Sequence, residues 1–146
     1  MKKIKLILLL LTLTAVTGCL LKEEGKGYLT KTCSLSENLD NIIKNEEINI
    51  THKDDDMTLI TIKITYLDSS DDKMLSILKD SILSEKQSLK NEKGLTIEVI
   101  DKDNSLEINY SFDYNNISEN VKQLYKIDNK YHIQIKYLKE QGYVCK

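Results

Sequence analysis

Leu106, Ile108, Tyr110, Phe112 and Tyr114 alternate without a break against Glu107, Asn109, Ser111 and Asp113. A period of two puts every apolar side chain on one face of an extended strand and every polar one on the other. Such a strand belongs in an antiparallel sheet with one covered and one solvated face, because a strand buried on both sides reads as a continuous apolar run. The rest of the chain must therefore supply something that covers one side of a sheet.

The same period recurs upstream. Tyr28 to Leu35 sets Leu29, Lys31, Cys33 and Leu35 against Thr30, Thr32 and Ser34, and Ile48 to His52 is a second strand. After the polar turn Lys53-Asp54-Asp55-Asp56, Met57 to Leu67 places Ile60, Ile62, Ile64 and Tyr66 on one face and Leu59, Thr61, Lys63 and Thr65 on the other. Leu95, Ile97 and Val99 form the strand that leads through Asp101-Lys102-Asp103-Asn104 into the alternating segment. Helical spacing covers the remainder. Ser69-Ser70-Asp71-Asp72 offers caps and acids where a helix dipole favours them, and Leu75, Leu78, Ile82 and Leu89 follow as a stripe. Gly94 is placed to take the left-handed conformation that ends such a helix. Ser118 opens a short helix ending near Lys126, and Tyr131 to Gln141 forms a last one, stopped by Gly142. Strands joined by hairpins, with helices between and after them, predict an α+β domain. Its antiparallel sheet of about five strands carries two or three helices packed on one face.

The first residues point to an address. Met1-Lys2-Lys3-Ile4-Lys5 is a basic start, and the apolar run from Ile4 to Val16 is about 13 residues, within signal-peptide length and short of a membrane span. Val16-Thr17-Gly18-Cys19 follows and resembles the bacterial lipobox, in which small residues admit the peptidase and the cysteine thiol receives a diacylglyceryl group. The chain accordingly divides into a lipoprotein signal peptide at 1–18, a lipidated N-terminus and flexible tether at 19–27, and the α+β domain at 28–146. Diacylation supplies the two chains that stable anchoring needs, so Cys19 would hold the protein on the extracytoplasmic face of the cell membrane. The alternative is an uncleaved span extended through Leu20 and Leu21, against which Thr12, Thr14, Thr17 and Gly18 count.

With Cys19 acylated, Cys33 and Cys145 remain. Outside the cytoplasm an even number of thiols favours a disulfide, and two separate buried thiols is the other reading. The spacing matches neither a metal site nor a Cys-x-x-Cys redox motif.

Cleavage after Gly18 leaves 18 lysines against 23 acids and no arginine, which argues against nucleic acid as a partner. Asp54-Asp55-Asp56 and Asp101-Lys102-Asp103-Asn104 lack the glycine and distant glutamate of a calcium loop and read as solvated turns. No Gly-x-Ser-x-Gly elbow is present. His52 shares the Ile48–Ile50 face, which suits a core or edge histidine, and His132 falls at a helix start. Glu46 and Glu47 point apart along a strand and read as solvated charge. Tyr66, Tyr110, Tyr114 and Tyr131 fall on core stripes, leaving a sugar-stacking platform weakly supported. No catalytic residue, metal ligand or cofactor is expected.

The lipobox at Cys19, Thr32-Cys33-Ser34 after the tether, Gly94-Leu95-Thr96 before the hairpin, and the ending Leu138-Lys139-Glu140-Gln141-Gly142-Tyr143-Val144-Cys145-Lys146 resemble the YehR-like family of small bacterial lipoproteins. The resemblance spans the mature chain and implies an α+β lipoprotein domain with no established activity. The expectation is a non-catalytic module at the cell envelope that binds another protein or a cell-wall component. The alternative is a small-ligand-binding lipoprotein with a pocket between sheet and helices.

Overall fold

The computed structural model describes residues 27–146 except 40 and 69–71. The expected signal peptide, Cys19 and the expected tether up to residue 26 lie outside the described residues, as do Ser69, Ser70 and Asp71. The elements run β1 (Leu29–Leu39), β2 (Ile42–Lys53), β3 (Asp56–Asp68), α1 (Asp72–Ser88), β4 (Leu95–Lys102), β5 (Ser105–Asp113), α2 (Glu119–Leu124), α3 (Tyr131–Glu140) and β6 (Val144–Cys145). The strands form one antiparallel sheet in the order β4-β5-β3-β2-β1-β6.

Register builds the core in rows across the sheet. Cys33, Ile48, Ile62, Tyr110 and Ile97 stand side by side, and the next row is Lys31, Ile50, Ile60, Phe112 and Leu95. Cys33, Ile50 and Phe112 are fully buried. The α1 stripe of Leu75, Leu78, Ile82 and Leu89 joins this core above β3, β4 and β5. Val121, Ile127, Ile135 and Leu138 close it from α2, α3 and the segment between them. The opposite face stays wet and is laced by short polar side chains across strands: Thr30 with Thr51 at 3.1 Å, Thr32 to Asn49 at 2.6 Å and Ser36 to Asn45 at 2.7 Å.

Among the described residues the sheet has six strands where the sequence predicts about five, and β2 is longer than its apolar pattern. β2 begins at Ile42 rather than Ile48, because Lys44-Asn45-Glu46-Glu47 is held extended by β1 and β3 on both sides. That is a tertiary constraint that intrinsic strand preference does not report. β6 is two residues long, too short to show a period. It pairs with Cys33 and Ser34, and the Lys146 N–H donates to the Thr32 carbonyl at 2.9 Å.

Gly142 ends its helix as expected, whereas Gly94 takes the expected left-handed conformation but not the expected place: α1 already ends at Ser88, and Gly94 turns the chain into β4. Gly94 has φ +74°, and a Cβ there would lie 2.8 Å from the Asn116 Cβ. Gly142 has φ +93° after α3, where the Tyr143 N–H returns to the Leu138 carbonyl at 3.0 Å, closing the helix end.

Candidate functional site

A disulfide joins Cys33 and Cys145, with the sulfurs 2.02 Å apart and the cysteines facing each other across β1 and β6. It ties the first strand to the C-terminal one. Cys19 lies outside the described residues.

The histidines and acidic turns take structural positions. His52 is buried, stacks on Tyr131 with centroids 3.6 Å apart, and its Nδ1 lies 2.7 Å from the Asp54 carbonyl. Asp54, at φ +53°, turns the β2–β3 hairpin. Asp55 caps α3 from outside the helix: its Oδ1 accepts from the His132 N–H at 3.0 Å, and Oδ2 lies 2.7 Å from His132 Nδ1. These contacts to His132 hold the Asp55 carboxyl below its ordinary value. The pair is exposed, and its geometry accounts for helix capping. Asp56 accepts an ion pair from Lys130 at 2.7 Å. Among the described residues, no group of three or more His, Cys, Asp or Glu is arranged to hold a metal ion. No described helix is long and apolar enough to cross a membrane.

The helix-covered face holds a cleft between sheet and helices, where the alternative sequence reading places a pocket; its lining residues were not foreseen. It has a volume of about 280 Å³ and runs beneath α3, over the β1–β2–β3 part of the sheet. Its apolar floor is Ile48, Ile60 and Ile62, and its walls include Tyr125, Tyr137 and Tyr143. At its open end the sheet rows turn polar. Glu46 takes the place next to Leu35 and Ile64, and Glu37, Lys44 and Tyr66 form the following row. These side chains point the same way as Cys33 and Ile48 and are half-buried.

The charges in this corner are organised. Lys44 Nζ lies 2.8 Å from Glu46 and 3.4 Å from Glu37, and the Lys44 and Glu46 side chains are only 21% and 11% exposed. Burial works against the Lys44 charge, but the contacts with Glu46 outweigh it and hold the ammonium above its ordinary value. Desolvation, with a hydrogen bond to Glu46, pushes the Tyr143 phenol well up. Burial likewise raises Tyr66, against the opposing pull of Lys44. At the α1 side, Tyr125 and Tyr110 donate to the two Glu85 oxygens at 2.5 and 3.1 Å. Desolvation and the Glu85 charge keep both phenols protonated far above their usual range.

Glu46 thus corrects the expectation for the Glu46–Glu47 pair. The two do point apart, but Glu46 turns inward into a nearly closed ion pair. The signal was the charge at positions 37, 44 and 46, which share the parity of Cys33 and Ile48 across the β1–β2 register. A larger hollow of about 820 Å³ lies between α1 and the 101–104 turn, edged by exposed side chains such as Lys79 and Asp101. It gathers none of these half-buried charged groups.

Fold and site together define an α+β domain whose helices cover part of one sheet face and leave a polar, tyrosine-walled cleft in the remainder. No protein-family model matches the chain, and no curated protein does. A protein from Streptococcus pneumoniae TIGR4, solved by NMR, is similar in structure, with a TM-score of 0.56, 16% identity, and coverage of 84% of this chain and 87% of that one. At that identity the likeness shows the fold alone.

Proposed function

We propose that this chain is a non-catalytic binding module at the cell envelope, held on the extracytoplasmic face of the membrane by diacylglyceryl on Cys19. Its partner is an envelope protein or a cell-wall component. The observation that carries the reading is the Cys33–Cys145 bridge. Such bridges persist where the surroundings are oxidising, the compartment that the lipobox independently implies. The resemblance to the YehR-like family points the same way.

Cys19→Ser tests the anchor. The variant should leave the membrane fraction, fail to incorporate labelled palmitate, and keep the melting temperature of the parent domain. Retention in the membrane at unprocessed length would favour the uncleaved span.

The cleft favours a second, compatible reading, that the module takes a small ligand between sheet and helices. Its volume falls just below the usual range of small-molecule sites, enough for a small ligand, and it combines an apolar floor with a few converging polar groups.

A further inference from the structure

The cleft's charges show which ligands fit it. Lys44 stands between Glu37 and Glu46, so the ammonium is already matched by carboxylates on either side. Counting Lys126 at the rim, two lysines face two glutamates along the lining. A zwitterion or an organic cation would have to break this arrangement to satisfy its own charges. A neutral hydroxyl need not: it donates to Glu37 or Glu46 and accepts from Lys44 while the ion pair stays whole. The remaining lining is aromatic and aliphatic, with Tyr137 and Tyr143 above Ile48 and Ile62. Such surfaces pack against the C–H faces of a ring while its hydroxyls meet the polar edge.

The position of the ion pair adds a second argument. A nearly closed pair gives little net stability, because desolvation offsets its attraction. Packing alone would be served as well by apolar residues at 44 and 46, which would extend the rows begun by Ile48 and Ile62.

We propose that the cleft beneath α3 is a binding site for one ring of an uncharged, polyhydroxylated saccharide; this rests on the binding-module reading and names the ligand class.

The test is a titration of the full chain, purified in detergent and labelled with nitrogen-15. The sugar probes are glucose, N-acetylglucosamine and N,N'-diacetylchitobiose, and alanine and putrescine are the charged comparisons. At least one sugar should move the amide signals of Glu37, Lys44, Glu46, Tyr137 and Tyr143 with a dissociation constant on the order of 1 mM. Alanine and putrescine should leave them in place. The double variant Lys44→Met/Glu46→Leu should weaken sugar binding about tenfold or more, because hydrogen bonds to charged groups are lost. Its melting temperature should equal or exceed the parent's, because apolar residues replace a largely covered ion pair at little cost, so weaker sugar binding would not reflect a loss of fold. If that variant fails to fold, Tyr143→Phe removes the phenol from Glu46 and should weaken binding several-fold. The proposal is overturned by shifts from alanine or putrescine alone, by sugar shifts confined to the open sheet face, or by sugar binding unchanged in the variant that folds. It is equally overturned if no probe causes a shift at about twenty times 1 mM. The Cys19→Ser fractionation is read independently, so either result can fail while the other stands.

Discussion

Replacing both bridge cysteines, Cys33→Ala with Cys145→Ala, should remove a large part of the domain's stability. The bridge spans a sequence separation of 112 residues, nearly the whole folded part. Closing a loop of that length restricts the unfolded chain by about 4–5 kcal/mol in the chain-entropy account. Cys33 is fully buried, so losing its sulfur also opens a small void worth roughly 1 kcal/mol. Against a domain stability of about 5–15 kcal/mol, the sum is a third or more of the total. At roughly 3–4 °C per kcal/mol for a domain of this size, the melting temperature should fall by about 15–24 °C. Two further signs separate this mechanism from simple loss of packing. The urea m-value should rise, because the unlinked unfolded chain exposes more surface. Hydrogen exchange should quicken at the Lys146 amide, since β6 then keeps only its short pairing with β1. A loss below about 1 kcal/mol with an unchanged m-value would refute the claim that the bridge restrains the unfolded chain.

Gly94→Ala should cost about 1–3 kcal/mol in urea unfolding, because φ is +74° and the new Cβ meets Asn116 and the Asp113 carbonyl. Phe112→Ala should cost about 3–5 kcal/mol, since its ring is fully buried and packs edge-on against Tyr125 at 4.8 Å; a loss below 2 kcal/mol would mean that the core collapses around the gap. Asp55→Asn should flatten part of the acid limb of the stability curve. The folded Asp55 carboxyl lies below its unfolded value, so its contribution is present above the unfolded pKa of about 3.9 and is lost as pH falls through the lower folded one. An NMR titration placing the Asp55 midpoint at or above that unfolded value would contradict the cap geometry.

The fold was legible wherever burial follows period. β3 and β5 are neighbours buried on one face only, so Ile60 to Tyr66 and Leu106 to Phe112 announce their faces directly. The first half of β2 was not legible, because its inward positions 44 and 46 are charged and only its two neighbours hold it extended. β6 was hidden for another reason: two residues show no period, and its place depends on the bridge to Cys33. The Asp54-Asp55-Asp56 turn could be read from composition, but the capping role of Asp55 could not, since its partner His132 lies 77 residues away. The lining of the cleft was concealed in the same way. Tyr143 follows α3, Tyr125 follows α2 and Glu46 sits in β2, and only the folded chain brings the phenols to the carboxylates. Each of these residues reads locally as a cap contact, a helix end or a solvated charge.

Intact mass of the protein extracted from its native membrane, recorded before and after reduction, tests the central claim most directly. The account predicts a chain that starts at Cys19, carries a diacylglyceryl group, and gains two hydrogens on reduction as the Cys33–Cys145 bridge opens. A chain that keeps residues 1–18, bears no lipid and has the same mass under both conditions would contradict it.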